Sequence, residues 1–546
     1  MIDKDIRKST LVGAMLGLTM LRLCLAWTQY ATITPPLAPI DDNLMFQLAQ
    51  SISAGEWLGQ YNYLTLSKHA FFSIWLSFLN WIRVPYLVGN AALWAAASLV
   101  TVWSVSGVLK QNFARLFLFA GLLYNPAMWA QFTTRVYRDS IFPSLCLLFF
   151  ASIVGVGLRY KKNVKSWMGY LLLCGVSFGC IYLSREDGVW VLPFAAVAVA
   201  VIGFLLVKER CKDRQVKGIA MLIPVVISLA IISSYSYINL KYYGRFIVSD
   251  FTSSDFERAY GALTSIEQEE WNPLVSVPRD VREKLYSEVP SFAPIEQALE
   301  EPILKNGYYN ETLGDFQSGG FYWALRTALQ NLGEYESPQR AQKYYETLYD
   351  EIKTAVEEGR LPAKKLRSGV TSPIKPQYVL PVIGEGLKGF ETAVLFYQCD
   401  PLATKAVGYP EEIAQVEEYI HQKGGTVLRE NSDEVYLTPV RAIAHRFMRI
   451  INMVYKICIP VMLIISVLWQ IKQLAADVGD RKFSDAGMLN VIMLGLISMA
   501  FLRCFMIGFV EVSAFNIGTY IMYLSTVHPL IIAYSVIGFC KTFEGS

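Results

Sequence analysis

The sequence lacks the short motifs that bind nucleotides and metals in many enzymes. It has no Walker-type glycine loop, no GxGxxG after a strand, no HExxH pair and no nucleophile elbow. No CxxC spacing occurs, and all nine cysteines except Cys399 lie in apolar segments or a short basic loop. Such cysteines are typical of small buried side chains. Internal repeats and low-complexity tracts are missing too. These absences argue against a nucleotide-dependent enzyme and against a cysteine-bound metal site.

Long apolar runs dominate the chain instead. Hydrophobic residues make up 53% of the 546 residues, and the net charge is only +3. Several runs reach the roughly 20 apolar residues that a bilayer span needs. The sequence therefore predicts an all-α polytopic membrane protein with about ten transmembrane helices, and an interfacial helix at 70–82. The predicted spans are 10–31, 86–108, 115–132, 140–158, 167–183, 189–207, 218–238, 450–470, 487–508 and 517–539.

Basic residues are distributed unevenly among the loops. If the N-terminus lies in the cytoplasm and the chain alternates sides, every short basic loop falls on the cytoplasmic side. The loop 159–165 contains no acidic residue, and the loop 208–217 is also strongly basic. We predict an uncleaved first span and two cytoplasmic termini. The other basic residues that fit this orientation are Lys4, Arg7, Lys8, Lys110, Arg115, Lys472, Arg481, Lys482 and Lys541.

One large polar segment then falls outside the membrane. It is rich in charged and aromatic residues, has mostly helical spacing, and is long enough for a core of its own. The chain is predicted to contain an N-terminal transmembrane module at 1–239, with its first outer loop at 32–85. An extracytoplasmic domain at 240–445 and C-terminal transmembrane helices at 446–546 follow.

Two adjacent carboxylates, Asp41 and Asp42, open the first outer loop. An aspartate before an amphipathic helix is a good helix cap, which is one interpretation. The other is a general base, because neighbouring carboxylates repel and the pKa of one can rise. A single base suffices for an inverting transfer, whereas a hydrolase also needs an acid to protonate its leaving group.

A second outward cluster lies between the third and fourth spans, in the sequence TTRVYRD. Arg135 and Arg138 either fix helix ends at the membrane boundary or bind a phosphate through forked hydrogen bonds. Asp139 can orient a sugar hydroxyl, or join Asp41 on a divalent cation such as Mg²⁺ or Mn²⁺. We favour the binding role for Arg138 and Asp139.

A third outward cluster, SREDGVW, separates two apolar runs. An ion-paired turn is one interpretation of its three charges. Three charges are more than a turn needs, so we favour the wall of a binding site. In that site Arg185 lies near a phosphate, and Glu186 and Asp187 lie near a sugar.

Other charged residues have simpler interpretations. Arg22 lies inside the first span, where a charge costs roughly 2.5–3.5 kcal/mol on insertion scales, so a structural salt bridge is expected. Lys68 is a candidate phosphate ligand in the first outer loop. Arg503 and Glu511 are interpreted as a packing pair near the outer end of the ninth span.

Two stretches resemble a known family. An arginine in the first span, a proline-rich stretch with two acids and an amphipathic segment are similar to the glycosyltransferase C superfamily. Protein O-mannosyltransferases and the lipid A aminoarabinose transferase belong to that superfamily. The resemblance covers about 1–240, whereas 240–445 resembles only uncharacterised bacterial relatives. The matching residues are Arg22, Pro36, Asp41, Asp42, Ala49 and Gly55, followed by Asn125-Pro126 and Arg138-Asp139.

The resemblance implies a function. It implies a bacterial plasma-membrane enzyme that transfers a sugar from a polyprenyl-phosphate donor to an acceptor hydroxyl, with inversion, on the extracytoplasmic face. Asp41 would match the catalytic base, Asp42 the acid beside it, and Asp139 the second acidic site. This chain has Asp-Asp where better-known members have Asp-Glu, and metal dependence differs among members. The alternatives are a transporter or flippase of an anionic lipid or glycan, and a non-catalytic membrane scaffold.

Overall fold

The chain folds almost entirely into helices, which confirms the all-α prediction. Within the part of the chain that the structure describes, seven helices are long and apolar enough to cross a membrane, and Met168–Ser184 is a shorter apolar helix. The protein is therefore a helical polytopic membrane protein. The computed structural model describes residues 6–301, 307–363, 365–427, 434–479, 485–516, 518 and 521–544.

The N-terminal helices form the first bundle. Several begin with proline in their first turn, where its missing N–H costs nothing. Large side chains of these helices and of the turns between them, such as Trp94, Trp129 and Phe150, are buried in one continuous apolar core. The helices are α1 (Lys8–Thr28), α2 (Leu44–Ser53), α3 (Phe71–Trp81), α4 (Tyr86–Val105), α5 (Asn112–Leu123), α6 (Gln131–Thr134), α7 (Phe142–Gly157), α8 (Met168–Ser184), α9 (Leu192–Lys208), α10 (Arg214–Ala220) and α11 (Ile223–Tyr243).

The next helices surround a second core, which contains Phe256, Leu325 and Leu348. A two-stranded antiparallel sheet pairs Tyr309–Asn310 with Asp315–Phe316 at its edge. The amphipathic pattern of these helices is typical of a water-exposed domain. They are α12 (Asp250–Ser253), α13 (Asp255–Leu263), α14 (Arg279–Glu288), α15 (Ile295–Glu300), α16 (Ser318–Asn331) and α17 (Pro338–Glu357).

The remaining helices return to the first core. Ala393, Phe396, Val416 and Ile420 pack with the membrane bundle although they lie inside the predicted extracytoplasmic segment. The domain limits at 240 and 445 stay a prediction. The helices are α18 (Val379–Val394), α19 (Pro410–Ile420), α20 (Pro439–Gly479), α21 (Asp485–Val510), α22 (Ile521–Leu524) and α23 (His528–Glu544).

The predicted spans coincide with helices, but three have different limits. The span 115–132 is too long, because helix α5 ends at Leu123 and Pro126 begins a separate 3-10 turn. The span 450–470 is too short, since α20 covers Pro439–Gly479. The span 517–539 is divided between α22 and α23. Lys4, Arg481 and Lys482, which supported the predicted orientation, lie outside the described residues.

Helix α18 was not predicted as a membrane-associated element. It lies along α21, where Phe390 and Phe501 stack with ring centroids 4.1 Å apart. The two backbones approach closely because Gly386 faces Phe505, and Gly508 faces the backbone of α18. The opposite side of α18 exposes large apolar residues, including Leu380. The glycines of VIGEGLKGF were the sequence signal for this packing.

We predict that Gly386→Ala destabilises the protein and Gly384→Ala does not. A Cβ at Gly386 would overlap the Phe505 ring, whereas a Cβ at Gly384 meets no atom within 4 Å. Overpacking of this kind costs about 1–3 kcal/mol, and alanine at an open helical position is neutral or slightly stabilising. Thermal unfolding of the purified protein measures both changes. Equal unfolding temperatures for the two variants would contradict the close packing of α18 on α21.

Candidate active site

Asp42 is a buried anchor of the first outer loop. It lies in a single π-helical turn, Pro39–Asn43, that leads into α2 and has no side-chain capping bond. The helix-cap interpretation is therefore wrong for this pair. Arg135 forms an ion pair with Asp42: its Nε donates to Oδ2 at 2.8 Å, and its Nη2 lies 2.7 Å from Oδ1. Thr34 donates a further hydrogen bond at 3.2 Å.

Asp41 is the accessible member of the pair, because 34% of its side chain is exposed. Its Oδ1 accepts a hydrogen bond from the Tyr137 hydroxyl at 2.9 Å and forms an ion pair with Lys68. Its Oδ2 lies 3.9 Å from Nη2 of Arg135. One oxygen of this carboxylate is therefore held by Tyr137 and Lys68, while the side chain stays partly exposed.

The two carboxylates have pKa values shifted in opposite directions. Burial raises the pKa of Asp42 to about 6, although Arg135 works against this. Burial also tends to raise the pKa of Asp41, but the ammonium of Lys68, helped by Arg135 and Arg138, outweighs it. The pKa of Asp41 therefore lies well below its usual range. The expected repulsion contributes to the raised pKa of Asp42, whereas the exposed carboxylate stays ionised.

Arg138 and Glu186 form the second part of the cluster. The 3-10 turn Arg138–Ser140 precedes α7, and Glu186 lies in the turn between α8 and α9. Nη1 of Arg138 donates to both Glu186 oxygens, at 3.0 and 2.8 Å. Nε of Arg138 is buried and has no hydrogen-bond partner. Nη1 of this guanidinium is thus paired with Glu186, whereas its Nε has no hydrogen-bond partner.

A third part joins Asp139 to the C-terminal half of the chain. Arg185, which follows α8, forms an ion pair with the buried Asp139, and its Nε donates to Asp187 at 2.8 Å. Asp187 also accepts from Nη1 of Arg503 on α21, at 2.6 Å. The predicted pairing of Arg503 with Glu511 is therefore wrong. Arg503 instead holds the acidic turn before α9.

Tyr137 lies at the centre of these groups and was missed as a site residue. Its ring is 5.0 Å from Arg135, 5.3 Å from Arg138 and 5.5 Å from Lys68, within cation–π range. An aromatic residue inside the charged run TTRVYRD was the available signal. The structure thus brings all eight predicted site residues into one cluster. Its members are Asp41, Asp42, Lys68, Arg135, Tyr137, Arg138, Asp139, Arg185, Glu186, Asp187 and Arg503.

Acids and bases balance in this cluster, but they differ in exposure. Asp41 and Asp187 are each 34% exposed and Glu186 is 29% exposed. The side chains of Lys68, Arg138 and Arg185 are only 8–10% exposed. The carboxylates of Asp41, Glu186 and Asp187 are therefore the more exposed groups of the cluster, and the cations are more deeply buried.

Residues of the second core contact this part of the cluster. The Trp323 ring on α16 lies 5.6 Å from the Lys68 ammonium. Arg326, one turn further along α16, donates to the carbonyl of Tyr63 in the first outer loop at 2.7 Å. The backbone N–H of Asp250 donates to the Leu66 carbonyl at 2.8 Å. These contacts attach the second core to the loop that carries Lys68.

The candidate metal ligands do not form a metal site in this arrangement. Asp41 is bound to Lys68, and Asp139 is bound to Arg185. Among the described residues, no group of three or more histidine, cysteine, aspartate or glutamate side chains could hold a metal ion. The divalent cation stays a prediction.

Arg22 does not form the expected salt bridge. Its Nη2 donates to the carbonyl of Met128 at 3.0 Å, and its guanidinium lies 5.5 Å from the Trp129 ring. In the part of the chain that the structure describes, no carboxylate lies within ion-pair distance of it. The buried charge is stabilised by a carbonyl and an aromatic ring, not by an acid.

The fold and the cluster define a class, namely a polytopic helical membrane protein with a charged site at one end of its helices. Two solved structures are similar to it, both of ArnT from Cupriavidus metallidurans, which is an aminoarabinose transferase of the glycosyltransferase C class. The apo structure is 14% identical with a TM-score of 0.33. The structure bound to undecaprenyl phosphate is 12% identical with a TM-score of 0.32.

Each of these matches covers 97% of this chain and 78% of the other. No family model matches the sequence, and the comparison with curated proteins found no match. Because the TM-scores are low, the function is inferred from the side chains of the cluster and from the sequence motifs alone.

We predict that Arg185→Met costs about 3–5 kcal/mol of stability, since it leaves the buried Asp139 without its cation. Arg340→Met is the matched control. Arg340 pairs with Glu336 on the surface, where such pairs contribute roughly 0–1 kcal/mol. Chemical or thermal unfolding in detergent measures the difference. An Arg185 variant as stable as the Arg340 variant would contradict the structural role of this ion pair.

Proposed function

We propose that this protein is a membrane glycosyltransferase that moves a sugar from a polyprenyl-phosphate donor to an acceptor hydroxyl on the extracytoplasmic face. The observation that supports this most is one accessible, ionised carboxylate, Asp41, beside two largely buried cations, Lys68 and Arg138. A transferase of this kind needs a base for the acceptor and positive charge for the departing phosphate. The resemblance of residues 1–240 to the glycosyltransferase C superfamily supports the same donor.

The donor phosphate binds at Lys68 and Arg138 in this proposal. Lys68 supplies a compact ammonium, and Arg138 offers an Nε that has no partner in the cluster. Arg185 lies deeper, between Asp139 and Asp187, and adds positive charge without direct contact. The polyprenyl chain lies along the apolar helices, because the cluster is at the end of the membrane bundle.

The reaction needs one base and no general acid. The acceptor oxygen attacks the anomeric carbon from the side opposite the phosphate, and its proton passes to Asp41. The bond between the anomeric carbon and the phosphate oxygen breaks, and its electron pair stays on the phosphate. The products are an inverted glycoside and polyprenyl phosphate. Lys68 and Arg138 stabilise the charge that develops on the leaving group.

Donor binding also activates the base. Lys68 keeps the pKa of Asp41 low in the free protein. A phosphate that shares the ammonium of Lys68 weakens its pairing with Asp41, so the pKa of this carboxylate rises toward the range of a useful base. Asp42 stays bound to Arg135 and holds the turn in place. Deprotonation is thereby coupled to the presence of donor.

In this proposal, the domain at 240–445 helps to bind the acceptor. Trp323 lies over Lys68, and aromatic side chains are common stacking surfaces for sugar rings. Glu186 and Asp187, exposed at the opening, can accept hydrogen bonds from sugar hydroxyls. We infer that the domain faces the outside of a bacterial plasma membrane, with the basic loops inside. The sugar is a hexose or pentose and the acceptor is a glycan, lipid or protein hydroxyl.

Asp41→Asn tests the base directly. We expect transfer from a polyprenyl-phosphate sugar, measured in right-side-out vesicles with radiolabelled donor, to fall by about 100-fold or more, as for the loss of a general base. The variant keeps the shape of the side chain, and its unfolding temperature shows whether it folds.

Asp350→Asn is the matched control, because this carboxylate is exposed on α17, away from the cluster. It should transfer at the wild-type rate. Full transfer by a folded Asp41→Asn protein would exclude Asp41 as the base. Movement of labelled lipid across the membrane without transfer would favour the transporter instead.

The pH dependence of transfer should follow the protonation of Asp42. Below the pKa of about 6, Asp42 becomes neutral and releases Arg135, which then pairs more strongly with Asp41 and weakens the base. We expect kcat/KM to fall about tenfold per pH unit below pH 6 in the wild type. Asp42→Asn should be slower but independent of pH in this range. An unchanged acid limb in that variant would assign the titration to another group.

A further inference from the structure

A small cavity lies beside Arg22, within the first bundle. It is bordered by α1, α4 and the segment 128–140, and has a volume of about 10 Å³. Its polar lining consists of Arg22, Gln29, Asn90, Thr133 and Ser140, and the rest is apolar. Arg22 is only 2% exposed and Asn90 is 7% exposed. A buried positive charge therefore borders this small, largely polar space.

Several buried hydrogen-bond donors at this space have no acceptor. Nε and Nη1 of Arg22 and Nδ2 of Asn90 are buried and have no partner. The carbonyl oxygen of Asn90 already accepts from Trp75 at 2.9 Å, so its NH₂ group is the end that remains. Nε1 of Trp129, whose ring lies against Arg22, is also buried without a partner. No aspartate or glutamate is among the lining residues.

We propose that this cavity binds a small monovalent anion of the size of chloride. A buried arginine without a carboxylate needs a counter-charge, and a halide can accept hydrogen bonds from the unpartnered donors of Arg22 and Asn90. A water molecule accepts only two hydrogen bonds and must donate two of its own. The volume is about that of one water, which excludes phosphate and sulfate.

The anion would also support the charged cluster from the membrane side. Ser140 lines the cavity and follows Arg138 and Asp139 in the same 3-10 turn. The Tyr86 hydroxyl lies 2.7 Å from both the Ser140 hydroxyl and the Arg135 carbonyl. An anion in the cavity would therefore stabilise the segment that carries Arg135, Arg138 and Asp139. This effect does not depend on the proposed transfer reaction.

The test uses the full-length protein purified in sodium gluconate. Chloride or bromide should raise its Tm by a few degrees, whereas sulfate at the same ionic strength should not. Crystals grown with bromide should give an anomalous peak within hydrogen-bond reach of Arg22. Equal Tm values in gluconate and bromide would overturn the proposal, as would density at this position without an anomalous signal.

Two variants make the result specific. Asn90→Asp places a carboxylate beside Arg22 with little change of shape, so it should abolish the halide-dependent rise in Tm. Arg159→Gln is the control and should keep the rise, because Arg159 donates to the Ser104 and Gly155 carbonyls in another part of the bundle. A full halide response in Asn90→Asp would overturn the assignment of the anion to this cavity.

Discussion

Mutual neutralisation of charges at the end of the membrane bundle is the constraint on which the site depends. Arg135, Arg138 and Arg185 are largely out of water, and an unpaired charge there would be expensive. Each is matched by a carboxylate from a different part of the chain. The pairings therefore fix the relative positions of the first outer loop, the turn before α7 and the turn before α9.

The sequence was sufficient to predict the helical membrane fold and the convergence of three charged loops. Apolar runs identify spans by length alone, and the positive-inside rule assigned the loops of Asp41, Asp139 and Arg185 to one side. It could not predict which charges pair, because pairing depends on rotation and depth of the helices. Arg503 illustrates this, since its neighbour in sequence, Glu511, is not its partner.

The two adjacent aspartates show a similar limit. Their repulsion predicted a raised pKa for one of them, but burial is the larger cause of the raised pKa of Asp42, and Lys68 holds the pKa of Asp41 low. Tyr137 and Trp323 were missed because aromatic residues are frequent throughout the chain, and only the fold brings these two beside Lys68. Likewise, α18 contains charged residues and glycines that conceal its apolar contact with α21.

The contribution of Arg503 has a consequence for biosynthesis. Asp187 lies in the first half of the chain, whereas its partner lies on α21, more than 300 residues later. During synthesis, the first bundle and the outer domain are made before the ribosome reaches this arginine. Until then the acidic turn before α9 lacks one of its two cations. The cluster is therefore assembled last, and a truncated or stalled chain carries an incomplete site into the membrane.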